Sequence, residues 1–312
     1  MMPARSVAVK RKAVPALFEF FVVPGILWSM PVGKAKKSSP VTIGVVFHEL
    51  TSGFYSLIMT GIDLEAFKLG YQLLITVSKP EVPGQCSAYD ILEKAQVDGL
   101  IVLDSTMTPE TLGRLKASGK PMAIIQNTFS DDELSAVVAD NIGGAYKAMK
   151  HLLDQGYRKL LIVTGAPTVE DSDLRMRGCE KALAEYGMTI NDVGVIVGDY
   201  KASEALHALR NFRERHGLPR AIFAFNDDMA LAIMKEFRQR GIEVPEEVAI
   251  VGFDGIDAAD LMGLTTVKVP MVEVGKEAVR LVAERIQNSD APSRHVVKET
   301  ALIIRESCGA RA

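Results

Sequence analysis

The sequence predicts an α/β protein with two doubly wound parallel-sheet lobes. Three observations carry this. Short apolar runs alternate with amphipathic segments from Val41 onward. Most of the runs are continuously apolar and do not alternate, the mark of strands covered on both faces. Strand and helix follow each other too many times for one sheet, so two lobes are expected.

The strands are expected at 41–47, 71–77, 99–103, 121–126 and 136–140, then at 159–165, 193–198, 221–225, 248–254 and 295–304. Helices lie between them. Residues 53–69 put Phe54, Leu57, Ile58 and Gly61 on one stripe and end at Gly70. Residues 143–155 end at Gly156, 174–186 at Gly187 and 228–240 at Gly241. A glycine just past a helix supplies the left-handed C-terminal cap.

Composition narrows the function. The chain has 312 residues, 48% hydrophobic, 6% aromatic and 24% charged, which is ordinary for a globular protein. A net charge of −3 gives no global case for binding nucleic acid. Cys86, Cys179 and Cys308 are far apart and odd in number, so they frame neither disulfides nor a metal site, and a reducing cytoplasm is expected. The five histidines are scattered, with no His-x-x-x-His or Cys-x-x-Cys pair. No Gly-x-Ser-x-Gly or phosphate-cradling loop is present, so no catalytic residue, cofactor or metal is expected. Residues 1–40 read as an atypical leader and linker. A basic "KRK" precedes an apolar run, but Glu19, Pro15 and Pro24 interrupt it, and "KAKKSSP" follows as a solvated linker.

Polar residues collect where strands end. "AIFAF" runs into Asn226, Asp227 and Asp228; "AVVA" into Asp140 and Asn141; "VGVIVG" into Asp199 and Tyr200; "VAIVGF" into Asp254. Ligands of open parallel sheets bind beyond the carboxyl ends of strands, where helix N-termini also point. One reading of Asn226 and Asp227 is helix capping alone; the other is capping together with ligand contact. Carboxylates and amides bond pairs of hydroxyls, and aromatic faces cover the apolar side of a sugar ring.

At these residues the sequence resembles the LacI/GalR family of transcription regulators. The resemblance rests on "ADNIGGAYKAMKHLLDQGYRKLLIVTG" (139–165), "RMRGCEKAL" (175–183), "FAFNDDMALAIMKEFRQRGIEVPEEVAIVGFDG" (223–255), "LTTVKVP" (264–270) and "ETALIIRES" (299–307). It implies a fold of the periplasmic-binding-protein type I kind, with two lobes joined by three crossovers. The effector-binding core is then 41–308, with one lobe about 41–140 and 268–297 and the other about 141–267 and 298–308. It implies effector contacts at Phe54, Tyr55, Asp140, Arg175, Tyr200, Asn226, Asp227 and Asp254. Arg175 has a structural alternative, an ion pair with Asp171 one turn away. Val169 stands where some relatives carry a polar ligand-binding residue. The implied partners are a sugar-like effector and a second copy of the chain, with no membrane-embedded core domain. Operator DNA is a partner only if a longer native start or another protein supplies a helix-turn-helix, because residues 1–40 contain no recognisable recognition helix. The competing expectation is a sugar-binding protein of an importer, delivered by the signal-like leader.

Overall fold

The computed structural model describes residues 21–23, 26–28, 40–78, 88–105, 107–126 and 134–309. The chain divides into Met1–Ser39 and Pro40–Ala312. In the first unit the described residues form one antiparallel pair, β1 (Phe21–Val23) with β2 (Ile26–Trp28). The rest of the expected leader and linker, and Cys86, lie outside the described residues.

The second unit contains two six-stranded sheets. The first is built from β3 (Thr42–Phe47), β4 (Gln72–Val77), β5 (Gly99–Leu103), β6 (Met122–Ile125), β7 (Ser135–Ala139) and β13 (His295–Lys298), all parallel, in the order β13-β7-β6-β5-β3-β4. The second is built from β8 (Leu160–Thr164), β9 (Gly194–Val197), β10 (Ala221–Ala224), β11 (Ala249–Asp254), β12 (Thr265–Lys268) and β14 (Ala301–Ile303), in the order β14-β12-β11-β10-β8-β9. Only the β12–β14 pair in it is antiparallel. In each sheet the second strand in chain order flanks the first on one side, and the later strands lie on the other. The order therefore reverses between β3 and β5 in one sheet and between β8 and β10 in the other. Strands β3, β5, β8, β10 and β11 are buried almost throughout, as their unbroken apolar runs require.

The chain changes sheet three times: between β7 and α4 (Asn141–Asp154), between β12 and α9 (Met271–Gln287), and at Glu299–Thr300 between β13 and β14. The run 295–304, expected as a single strand, is thus two strands in two sheets. Apolar content alone does not mark the two-residue break at Glu299 and Thr300.

Helix α1 (Gly53–Leu69) packs on α9 in very close contact. A β-carbon on Gly61 would stand 2.0 Å from the Val272 carbonyl oxygen, and one on Gly275 would stand 2.2 Å from that of Ile58. Helix α5 (Glu170–Glu185) crosses α4 in the same way at Gly178. The other helices are α2 (Ala88–Lys94), α3 (Pro109–Ala117), α6 (Ala202–His216), α7 (Asp227–Gln239) and α8 (Asp257–Leu261). Among the described residues no helix is long and apolar enough to cross a membrane.

Candidate functional site

A cavity of about 350 Å³ lies at the carboxyl ends of the strands, lined from both sheets. His48 and Ser105 bring the β3 and β5 ends to it; Ala166, Thr168, Asn226 and Asp228 bring the β8 and β10 ends. Both strand-order reversals therefore open into one space, the position where doubly wound sheets bind ligands. Its volume is at the lower end of the small-molecule range.

Backbone strain concentrates there. Among the described residues five non-glycines have φ in the left-handed range, and four line this cavity: Gln126 (62°), Asp199 (54°), Tyr200 (58°) and Asp254 (116°). Such residues persist only where their surroundings hold them, and they cluster at ligand sites.

Arg175 is the centre of one wall. It is 2% exposed. Its Nε donates to Asn141 Oδ1 at 2.8 Å and an Nη donates to the Phe225 carbonyl. The other Nη lies 3.8 Å from Asp171 and 3.7 Å from Asp254. The guanidinium plane sits 3.8 Å from the centroid of the Phe253 ring, with Tyr200 on a further side. Two buried carboxylates thus share one cation. Burial pushes the Asp171 carboxyl up to about 6, with Arg175 opposing, and pushes Asp254 well above the usual carboxylate range. Asp171 accepts from Asn141 Nδ2 at 2.9 Å. Asp254 accepts no hydrogen bond from any described side chain or backbone N–H, so its oxygens are left for a donor brought in from outside. The Tyr200 hydroxyl, also buried, has no hydrogen-bond partner among the described residues.

Of the residues expected from the sequence, Phe54, Tyr55, Arg175, Tyr200, Asn226 and Asp254 line the cavity. Phe54 and Tyr55 stack edge to face at 5.2 Å. Asn226 caps α7, accepting from Met229 N at 3.0 Å, and its amide donates to the Tyr200 carbonyl at 3.1 Å. It joins the capped helix to the strained turn after β9.

Two expected contacts are placed elsewhere. Asp140 caps α4 through Gly143 N at 2.8 Å, in the first crossover, and does not line the cavity. Asp227 is fully buried beneath it. Its carboxylate accepts from Gly255 N at 2.7 Å, Ile256 N at 2.9 Å and Thr266 Oγ1 at 2.5 Å. Burial raises its pKa to about 7 against the pull of these donors. Asp227 therefore clamps the turn that follows Asp254 and does not itself line the cavity.

The sequence reading missed His48, Glu49, Ser52, Gln126 and Lys201 and named Asp228 only as a strand-end acid, not as an effector contact; all six line the cavity. Asp228 accepts from Ser52 Oγ at 2.9 Å, a bond between the two lobes. Val169 also lines the cavity and leaves α5 without a side-chain cap. Lys201 is held 2.5 Å from Asp199. Among the described residues no group of three His, Cys, Asp or Glu side chains is placed to hold a metal.

Two parallel sheets with a ligand cavity at their switch points define a periplasmic-binding-protein-like domain, and the model of that family matches residues 149–308, just over half of the chain. Curated relatives are transcriptional repressors named PurR. That of Photobacterium profundum is 28% identical over 303 residues, covering 96% of this chain and 90% of its own. That of Aliivibrio salmonicida is 30% identical over 269 residues, covering 85% and 81%. A solved LacI-family regulator from Enterococcus faecium with bound ribose superposes with a TM-score of 0.79 at 24% identity, covering 86% of this chain and 98% of its own. The CelR–cellobiose complex does so at 0.78 and 27%, covering 85% and 84%. The chain belongs to the LacI family of transcriptional regulators and carries that family's ligand-binding core.

Proposed function

We propose that the cavity binds a small hydroxylated metabolite, a sugar or sugar derivative, and that occupancy sets the operator-binding state of a cytoplasmic regulator. The observation that carries this is Asp254, a buried carboxylate in a strained turn, paired with a shared guanidinium and bonded to no donor. Hydroxyl pairs satisfy such an arrangement: one hydroxyl donates to Asp254 or Asp171 and accepts from Arg175. Phe54, Tyr55 and Tyr200 supply apolar faces for the C–H side of a ring. The Ser52–Asp228 bond already joins the two walls, so a ligand between them biases closure. The ribose and cellobiose complexes among the structural neighbours support the same chemistry.

The test is calorimetric titration of the full chain with D-ribose, cellobiose and a nucleoside. At least one sugar is expected to bind, and Asp254→Asn is expected to weaken it roughly ten- to a hundred-fold, the worth of a charged hydrogen bond. Binding of the nucleoside alone would move the ligand class to nucleobases.

The regulator is further proposed to act as a homodimer. On α1, Phe67 is 84% exposed and Leu64 51%, and Ile75 on the edge strand β4 is 42% exposed. Exposed large apolar side chains of this kind are candidates for burial against a partner. Sedimentation at tens of micromolar should give a dimer, and Phe67→Glu should give a monomer. A dimer unaffected by Phe67→Glu would place the interface elsewhere.

A further inference from the structure

The wall around Arg175 belongs to the second sheet. The first sheet meets the cavity at its own switch point, and a chain of three polar side chains stands there. His48 follows β3 and Asp104 follows β5, on neighbouring strands. Asp104 is 3% exposed. One of its oxygens accepts from the hydroxyl of Tyr89 on α2 at 2.7 Å. The other lies 3.6 Å from His48 Nδ1, which is buried. The His48 side chain is 39% exposed and lines the cavity, so it is the Nε2 edge that faces the space.

We propose that His48 is an effector-binding residue, acting as an imidazolium whose Nε2–H donates to an acceptor oxygen on the effector face opposite Arg175. Tyr89 and Asp104 are positioning residues. The Asp104 carboxylate stands 3.6 Å from Nδ1, which has no hydrogen-bond partner among the described residues, and acts on the ring by electrostatic attraction. The two walls then ask for different things. The Asp171, Asp228 and Asp254 side takes hydroxyl donors; the His48 side takes an acceptor, such as a ring or carbonyl oxygen. An effector that satisfies both is gripped from both sheets. This rests on the reading of the cavity as a site for a hydroxylated metabolite.

Binding through His48 is proton-linked. The nearby Asp104 carboxylate raises the pKa above the ordinary 6.5, while burial and Lys201 across the cavity oppose it. Glu49, on the same loop, adds to the rise, and Lys201 is itself paired with Asp199. A raised histidine is charged below its unfolded pKa and loses its charge as pH rises through the folded value. The contribution of His48 to affinity therefore fades as pH rises past neutrality. Asp171 works the other way, becoming a better acceptor as pH rises through about 6. Only a comparison with a His48 variant separates the two.

The experiment uses the full chain with isotope-labelled histidine, the His48→Gln variant to assign the resonance, and D-ribose and cellobiose as probes. The His48 pKa is expected above the ordinary histidine value, lower in Asp104→Asn, and higher again when the sugar that binds is added. By calorimetry, the affinity ratio between about pH 6 and about pH 8 should be larger in the wild type than in His48→Gln by at least about threefold, which corresponds to a half-unit movement of the pKa. A melting temperature near that of the wild type shows that His48→Gln is folded. A sugar that binds without moving the His48 pKa, or with equal ratios in the two proteins, overturns the proposal and leaves the sugar reading standing. If neither sugar binds the wild type, the sugar reading fails and the proposal fails with it.

Discussion

Arg175→Ala should abolish effector binding and lower the stability of the free protein by about 3–5 kcal/mol, the usual cost of removing one partner from a buried ion pair. Three losses combine. Asp171 and Asp254 lose their shared cation while still buried. The Phe225 carbonyl and the Asn141 amide oxygen lose a donor. The Phe253 ring loses the plane that stacks on it. Arg175→Lys should recover little, because an ammonium cannot bridge four partners in a fixed plane. Denaturant unfolding and calorimetry on the same preparations check both parts. The ion pair with Asp171 does not exclude the proposed ligand role, since Arg175 makes that pair while lining the cavity.

The second large effect is expected at Asp227. Replacing it with alanine leaves two buried N–H groups and one hydroxyl without an acceptor, each costing about 1–3 kcal/mol when unsatisfied. A total loss of roughly 2–4 kcal/mol is expected, since the site relaxes in part. Affinity should also fall, although Asp227 touches no ligand, because the turn at Gly255 and Ile256 holds Asp254 at its positive φ. Asp254→Asn separates the roles: it should reduce affinity and leave stability near that of the wild type. Equal melting temperatures for Asp227→Ala and the wild type would show that the clamp does not exist in solution.

The contrast between Asp227 and Asp228 shows where a sequence stops being legible. Both follow "FAFN", both are acids in the first turn of α7, and the strand-end rule selects them equally. Which one faces the cavity depends on the helical phase set by packing against β11 and β12, and no local signal encodes that. The fold itself was legible because short unbroken apolar runs such as "LLIVT" and "AIVGF", set between helical patterns, suit strands covered on both faces and little else. Arg175 and Phe54 were named because the resemblance carried them, and Asp254 was named by the strand-end pattern as well. His48 was missed although it stands after "VTIGVVF" just as Asp254 stands after "VAIVGF"; the strand-end rule that selected Asp140 and Asp254 was not carried to β3. Glu299 and Thr300 look like strand interior, and only pairing in three dimensions shows that the chain leaves one sheet there and enters the other.

The three crossovers also set the order in which the molecule can be completed as it is made. The first sheet needs β13, and its face needs α9, so it stays without an edge strand and a covering helix until residue 298 has been synthesised. The second sheet takes five of its six strands from residues 160–268. On the ribosome, where domains generally fold as they emerge, the five parallel strands of the second sheet are therefore available before the first sheet has its edge strand. A chain stalled or cleaved a few residues short of Lys298 would carry one nearly finished lobe and one open parallel sheet, a form exposed to aggregation and to proteases. Strands β13 and β14 thus complete both sheets: neither has all of its strands until residues 295–303 have been made.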